Sequence, residues 1–314
     1  MTEIAPQRLT AVIAIPTFRR PERLAALLRA VPERIAEAAE YADFGVLVID
    51  NDPAGSAETS ALSAGLPNLT YVLERTPGIA AARSRALAEA TAFDLLIFID
   101  DDEIPMAGWL SELLATHAAT GASAVMGRVV TDFPADVDPW VLAGGYFHRP
   151  SRETGISLQV AATGNLLLDL RDVRSLGVDF DDRLGLAGGE DSAFTRELVR
   201  RGGTIVWCEE SVTVDHIEPD RLTRAALLRR AFAHGNVAAR LHIGEAASAG
   251  AARLVRGKYL ARGCVRVVAG GARAAWGLVT NSLRHNARGR RTLRRGAGMV
   301  AASFGTKYEE YERG

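Results

Sequence analysis

The stretch LIFIDDDEIP, residues 96–105, ends an apolar run in four consecutive acids, Asp100, Asp101, Asp102 and Glu103. Adjacent like charges repel, and burying an unpaired charge is costly. A buried strand that ends this way calls for a positive partner. Each acid could instead cap a following helix, but a cap needs only one of them.

GVLVIDND (45–52) repeats the pattern of an apolar strand closed by acid, and TAVIAIPTF (10–18) and LTYVLER (69–75) read as further strands. Between them lie helical segments. One starts at Pro21, with Leu24, Leu27, Leu28 and Val31 on one face, and an Ala-rich one opens at Pro77-Gly78. A helix near 107–119, strands at 122–130, 162–170 and 204–210, and a glycine-bounded helix over 188–203 continue the alternation; residues 131–160 carry no clear period. This order predicts an α/β fold with a mostly parallel central sheet and helices on both faces. In such sheets ligands bind beyond the carboxyl ends of the strands, where both acidic runs fall.

The 314 residues are 48% apolar and 24% charged, as in an ordinary globular protein. The two cysteines, Cys208 and Cys264, form neither a disulfide framework nor a CxxC metal pattern, which predicts a reducing, cytoplasmic setting. The N-terminal sequence has no signal-peptide pattern, and no apolar window approaches the ~18 residues of a membrane span. Arginine outnumbers lysine 35 to 2, a bias that goes with a GC-rich bacterial genome.

Charge is unevenly spread: residues 1–245 carry a net −12, residues 246–308 carry +13 with no acid, and residues 309–314 carry −2. This predicts two parts, a catalytic domain over 1–230 and a helical, Arg-rich C-terminal extension over 231–314 that meets an anionic partner. Nucleic acid is not expected, since no aromatic stacking platform accompanies the basic residues.

Carboxylates gathered at one sheet edge suit a hard divalent cation, Mg²⁺ or Mn²⁺, with a bound phosphate. An EF-hand loop, a G-x-G-x-x-G fingerprint and a P-loop are all absent.

AIPTFRRPERL, VLVIDND, ERTPGIAAARSRAL, FIDDDEIP, ATGNLLL, GGEDSAFTREL and VDHIEPDRLT follow one another in this order. Together, over roughly residues 10–230, they resemble glycosyltransferase family 2, inverting nucleotide-sugar transferases of the GT-A fold, and within it the bacterial polysaccharide transferases of the succinoglycan type. A C-terminal GTKYEEY (305–311) adds to the likeness.

The resemblance implies an inverting transferase that moves a sugar from a nucleotide-sugar, UDP-linked by analogy, to a saccharide or lipid-linked saccharide hydroxyl. Pro16, Thr17 and Phe18 would cradle the nucleoside, and Asp50 and Asn51 the base and ribose; many relatives carry a second Asp where Asn51 stands. Arg83, at a helix N-terminus suited to anions, would meet the diphosphate. Asp100 would hold the ribose and share the field of a Mn²⁺ or Mg²⁺ ion bound by Asp102, with His216 a third metal ligand. Asp191 would be the base that takes the acceptor proton, Glu190 would orient it, and Asn165 would line the donor or acceptor pocket. Two other readings remain: a sugar nucleotidyltransferase, which lacks its Gly-rich loop here, and a non-catalytic nucleotide- or sugar-binding partner.

As one helix, 258–284 would gather Lys258, Arg262, Arg266, Arg273 and Arg284 within roughly 80° of arc, with Leu260, Val267, Val268, Leu278 and Val279 away from them. Such a helix suits peripheral contact with an anionic membrane, at the inner face of the plasma membrane where a lipid-linked acceptor lies. Gly263, Gly270, Gly271 and Gly277 argue against an unbroken helix.

Overall fold

The computed structural model describes residues 8–147, 149, 151–182, 184 and 188–308. The N-terminal segment 1–7 and the acidic end 309–314, with part of GTKYEEY, lie outside the described residues. The described residues fall into two compact units, one holding 8–132, 149, 151–182, 184 and 190–216, the other 133–147, 188–189 and 217–308.

The first unit is built on one eight-stranded sheet. Its strands are β1 (Leu9–Thr17), β2 (Ala42–Asp50), β3 (Leu69–Leu73), β4 (Leu95–Ile99), β5 (Glu103–Pro105), β6 (Ala124–Asp132), β7 (Asn165–Asp169) and β8 (Ile205–His216). They lie in the order β3-β2-β1-β4-β7-β6-β8-β5. β3, β2, β1 and β4 are mutually parallel, as are β6 and β8. β7 runs antiparallel to both of its neighbours, and β5 antiparallel to β8.

Alternate residues of the apolar strands go to opposite faces. Ile13 and Ile15 of β1 and Ile97 and Ile99 of β4 join one core, with Leu24, Leu27 and Leu28 of α1 (Pro21–Glu37) and Trp109 of α4 (Trp109–Thr120). Val12, Ala14, Leu96 and Phe98 join the other, with Ala82 and Ala86 of α3 (Ile79–Glu89) and Phe194 and Leu198 of α7 (Glu190–Arg200). Both faces are covered, which is why these strands read as unbroken apolar runs. Two short helices, α2 (Glu58–Ser63) and α6 (Leu170–Leu176), follow β2 and β7.

The second unit is helical: α5 (Pro139–Gly144), α8 (Arg224–Gly244), α9 (Ala249–Val279) and α10 (Leu283–Ser303). The expectation that glycines interrupt the basic helix is corrected here, because α9 runs unbroken for 31 residues. Gly263, Gly270 and Gly277, seven residues apart, are buried on one face against α10. A Cβ on Gly270 would stand 2.4 Å from the Leu293 amide nitrogen, and one on Gly277 would stand 2.2 Å from that of Asn286. The glycines let two backbones touch, and that packing offsets their poor helix propensity. Arg284 lies beyond the turn at 280–282, in α10 rather than α9.

Candidate active site

The carboxyl ends of β1, β2 and β4 lie side by side, since Thr17 is in register with Asp50 and β4 flanks β1. Thr17 is buried and its hydroxyl donates to Asp101 at 2.7 Å. Pro16 is buried within β1, and half-buried Phe18 carries the Arg19 guanidinium 4.9 Å from its ring centre.

The acids following β4 divide into distinct environments. Asp101 is buried, and the Arg20 guanidinium bridges it, at 2.9 Å, to Asp102, at 3.0 Å. Burial pushes the Asp101 carboxyl up to about 6 despite Arg20. Glu103 is buried and accepts from the Thr213 hydroxyl at 2.5 Å; burial and the nearby charge of Asp100 push it well above the usual carboxylate range. Asp100 is the most open of the four, at 37% side-chain exposure against 12% for Asp102. Its shielding by neighbours and the charge of Asp102 raise it, while Arg83 and Arg149 pull it down. A Cβ on Gly164 would lie 2.6 Å from a Glu103 oxygen and 3.1 Å from one of Asp100, so only glycine fits where the chain passes these acids.

Arg83, buried in α3, is the hub of this cluster of acids. It donates to Asp100 at 3.2 Å and forms an ion pair with Glu190, the first residue of α7. Glu190 is buried, and burial pushes its carboxyl up to about 7, with Arg83 opposing and the Asp191 charge adding. Asp191 is half-buried, and one of its oxygens accepts from the Ser192 amide at 2.5 Å.

Other expected residues are placed differently. Asp50 is fully buried and accepts from the amides of Asp52 and Ala57 and from the Tyr71 hydroxyl, all at 2.8–2.9 Å. Asn51 clasps the carbonyls of Glu74 and Thr76 and the amide of Gly78, tying β2 to the turn that launches α3. Both side chains organise the chain that follows β2 and the turn before α3. Asn165, expected to line the donor or acceptor pocket, is fully buried, accepting from the Trp109 indole at 2.9 Å and donating to the carbonyls of Arg128 and Ser211. His216 lies beside the acids through its backbone, its amide reaching the Asp102 carbonyl at 3.3 Å. Its exposed ring, however, pairs with Asp132 at 3.0 Å.

Residues missed by the sequence reading complete the site. Arg20 neutralises two of the acids, and Arg149 pairs with Asp215 at 2.9 Å and acts electrostatically on Asp100 and Glu103. Buried Asp52 is pushed up by burial but held below the usual range by the Ser56 hydroxyl, the Ala54 amide and Arg19. Arg20 follows the β1 turn directly, a signal within reach; Arg149 sits in the stretch without periodicity, where none exists.

Among the described residues, no group of three or more His, Cys, Asp or Glu side chains is placed to hold a metal by itself. Asp100 and Asp102 nevertheless fit a hard divalent cation. They offer oxygen donors at one strand end, their like charges raise Asp100, and Mg²⁺-type sites commonly use one or two carboxylates plus phosphate oxygens and water.

The family model described as glycosyl transferase family 2 matches residues 12–176. The chain is 33% identical to the succinoglycan biosynthesis protein ExoM of Rhizobium meliloti over 237 residues, 73% of this chain and 74% of that protein. Among solved structures it is similar to the mannosyltransferase PcManGT of Pyrobaculum calidifontis, in complex with GDP-Man and Mn²⁺, with TM-score 0.61 and 17% identity over 97% of this chain and 91% of the other. It is also similar to S. aureus TarS 1–349 in complex with UDP-GlcNAc, with TM-score 0.54 and 11% identity over 92% of each chain; it spans 42% of a longer TarS chain. At these identities the structural likeness shows the fold alone, that of GT-A glycosyltransferases.

Proposed function

The chain belongs to glycosyl transferase family 2, and from this we propose that it is an inverting, metal-dependent transferase. It takes a sugar from a nucleotide-sugar, UDP-linked in our reading, to a hydroxyl of a saccharide or lipid-linked saccharide in bacterial polysaccharide biosynthesis. The observation that carries this reading is the single guanidinium of Arg83 held between Asp100, at the strand end, and Glu190, at the head of α7. In this reading one cation joins a leaving-group site and an acceptor-activating site. The name of the ExoM relative supports the polysaccharide setting.

In this mechanism Asp191 takes the proton of the acceptor hydroxyl as its oxygen bonds to the anomeric carbon, while the bond from that carbon to the diphosphate oxygen breaks. Glu190 holds the arginine and orients the acceptor side. Arg83 offsets charge building on the departing diphosphate. Thr17 holds Asp101 in place, and Arg20 holds both Asp101 and Asp102. Asp100 and Asp102 would hold Mn²⁺ or Mg²⁺, which supplies further neutralisation of the diphosphate when bound. The basic residues 246–308 support a peripheral contact with the anionic inner face of the plasma membrane, where a lipid-linked acceptor would lie.

The test is turnover of a panel of nucleotide-sugars with a lipid-linked saccharide pool, for the wild type and Asp191→Asn. We expect release of one nucleotide with the wild type, and a loss of at least ~100-fold in the variant with donor binding intact. Full transfer by Asp191→Asn would remove the assigned base.

A further inference from the structure

The outward face of α9 is apolar, not basic. Leu254, Val268, Trp276 and Val279 are 78%, 72%, 58% and 81% exposed, and Val265 is exposed with them. With Ala261 and Ala272 they lie within roughly 80° of arc, opposite the glycine face that packs on α10. The spacing is eleven residues: 254, 265 and 276 form one row, 261 and 272 another, and 268 and 279 a third. At that period an α-helix carries its stripe almost straight, which suits a flat surface. Along one border run Lys258, Arg262, Arg266 and Arg273. An apolar stripe this long and this open marks a surface that something covers.

We propose that this stripe inserts into the interfacial region of an anionic lipid bilayer, α9 lying in the membrane plane with its basic border at the headgroups. The inference rests on, and deepens, the membrane contact proposed above by naming the residues that enter the lipid. Charge selects the occupant. Residues 246–308 hold 13 Arg and Lys and no acid, so a second copy of this face brings only like charge, whereas anionic headgroups complement the basic border. Trp276 is suited to the apolar-polar boundary. Among the described residues no helix is long and apolar enough to cross a membrane, so the contact is one of lying on the surface.

Three of the four tryptophans, Trp109, Trp140 and Trp207, are buried, so quenching by lipid reports Trp276. Full-length protein is mixed with vesicles of phosphatidylcholine containing phosphatidylglycerol, with and without brominated acyl chains, and floated on a density gradient. The expected result is flotation with anionic vesicles and quenching by brominated chains that disappears in Trp276→Phe. Val268→Asp and Val279→Asp, both at exposed positions, should each weaken partitioning by about tenfold. Their circular dichroism and nucleotide binding should be unchanged. Flotation without quenching, abolished by salt, would overturn insertion and leave the membrane contact standing. No flotation would overturn both. A lipid-free dimer dissolved by Val268→Asp would also overturn the proposal, in favour of a second copy.

Discussion

Arg83 in α3 and Glu190 at the start of α7 form a buried ion pair, and the same guanidinium reaches Asp100 at 3.2 Å. Two segments 107 residues apart in sequence thus meet at one cation at the end of the parallel strands. Removing one partner of a buried pair leaves the other charge uncompensated, which is worse than never having built the pair.

Arg83→Ala should therefore cost about 3–5 kcal/mol of stability where Glu190 is ionised, above pH 7, and less near pH 5, where the carboxyl takes a proton. Arg83→Lys keeps the charge but loses the two-pronged geometry and should recover stability better than activity. Urea midpoints at pH 5 and pH 8, alongside kcat/KM, separate the two effects.

Glu190 predicts a slope of stability with pH. Its carboxyl is raised from 4.5 to about 7 in the folded chain, so between those values the native state binds more protons than the unfolded state. Stability should then fall as pH rises from 4.5 to 7. Asp101, raised to about 6, acts in the same direction. Glu197, which hydrogen bonds from Arg200 and Arg201 hold down to about 2, acts only at lower pH. His234, which shielding by its neighbours pushes down to about 4, opposes this fall up to about pH 6.5. In chelator, denaturation midpoints should decline most clearly between pH 6 and 7 for the wild type, and decline less in Glu190→Gln, where Asp101 alone of the two still acts.

Asn165→Ala should damage the fold and spare the donor site. It strands the buried Trp109 indole and the carbonyls of Arg128 and Ser211, at about 1–3 kcal/mol for each unsatisfied group. Calorimetry on the variant should give an unchanged Kd for nucleotide beside a lowered urea midpoint. A tenfold weaker Kd at full stability would return Asn165 to the pocket.

The glycines of α9 should respond oppositely to alanine. Gly270→Ala and Gly277→Ala drive a Cβ into backbone atoms of α10 and should lower Tm. Gly257→Ala, with nothing within 4 Å of its Cβ, should raise stability by about 0.5–1 kcal/mol.

The apolar runs ending at Thr17, Asp50 and Ile99 and the acids after them were legible because a strand buried on both faces leaves an unmistakable pattern. Strand direction leaves no such trace, and antiparallel β7 reads like any other apolar run. Asn165 reads as pocket-lining from its neighbours in sequence, yet its partners come from 109, 128 and 211, far along the chain. Arg149 and α5 fall in 131–160, where short turns and aromatic side chains replace periodicity. Glycines in α9 weaken an isolated helix and tighten a packed one, and only the presence of α10 decides between these effects.

The acids after β4 and Arg83 are assigned to one metal-diphosphate site. Titration of UDP, GDP and dTDP into the purified protein by calorimetry, with and without Mn²⁺ and beside Asp102→Ala, tests it most directly. Tight binding of one nucleotide that requires both Mn²⁺ and Asp102 is the expected result. Binding of none of the three, with or without metal, or binding indifferent to Asp102→Ala, would contradict it.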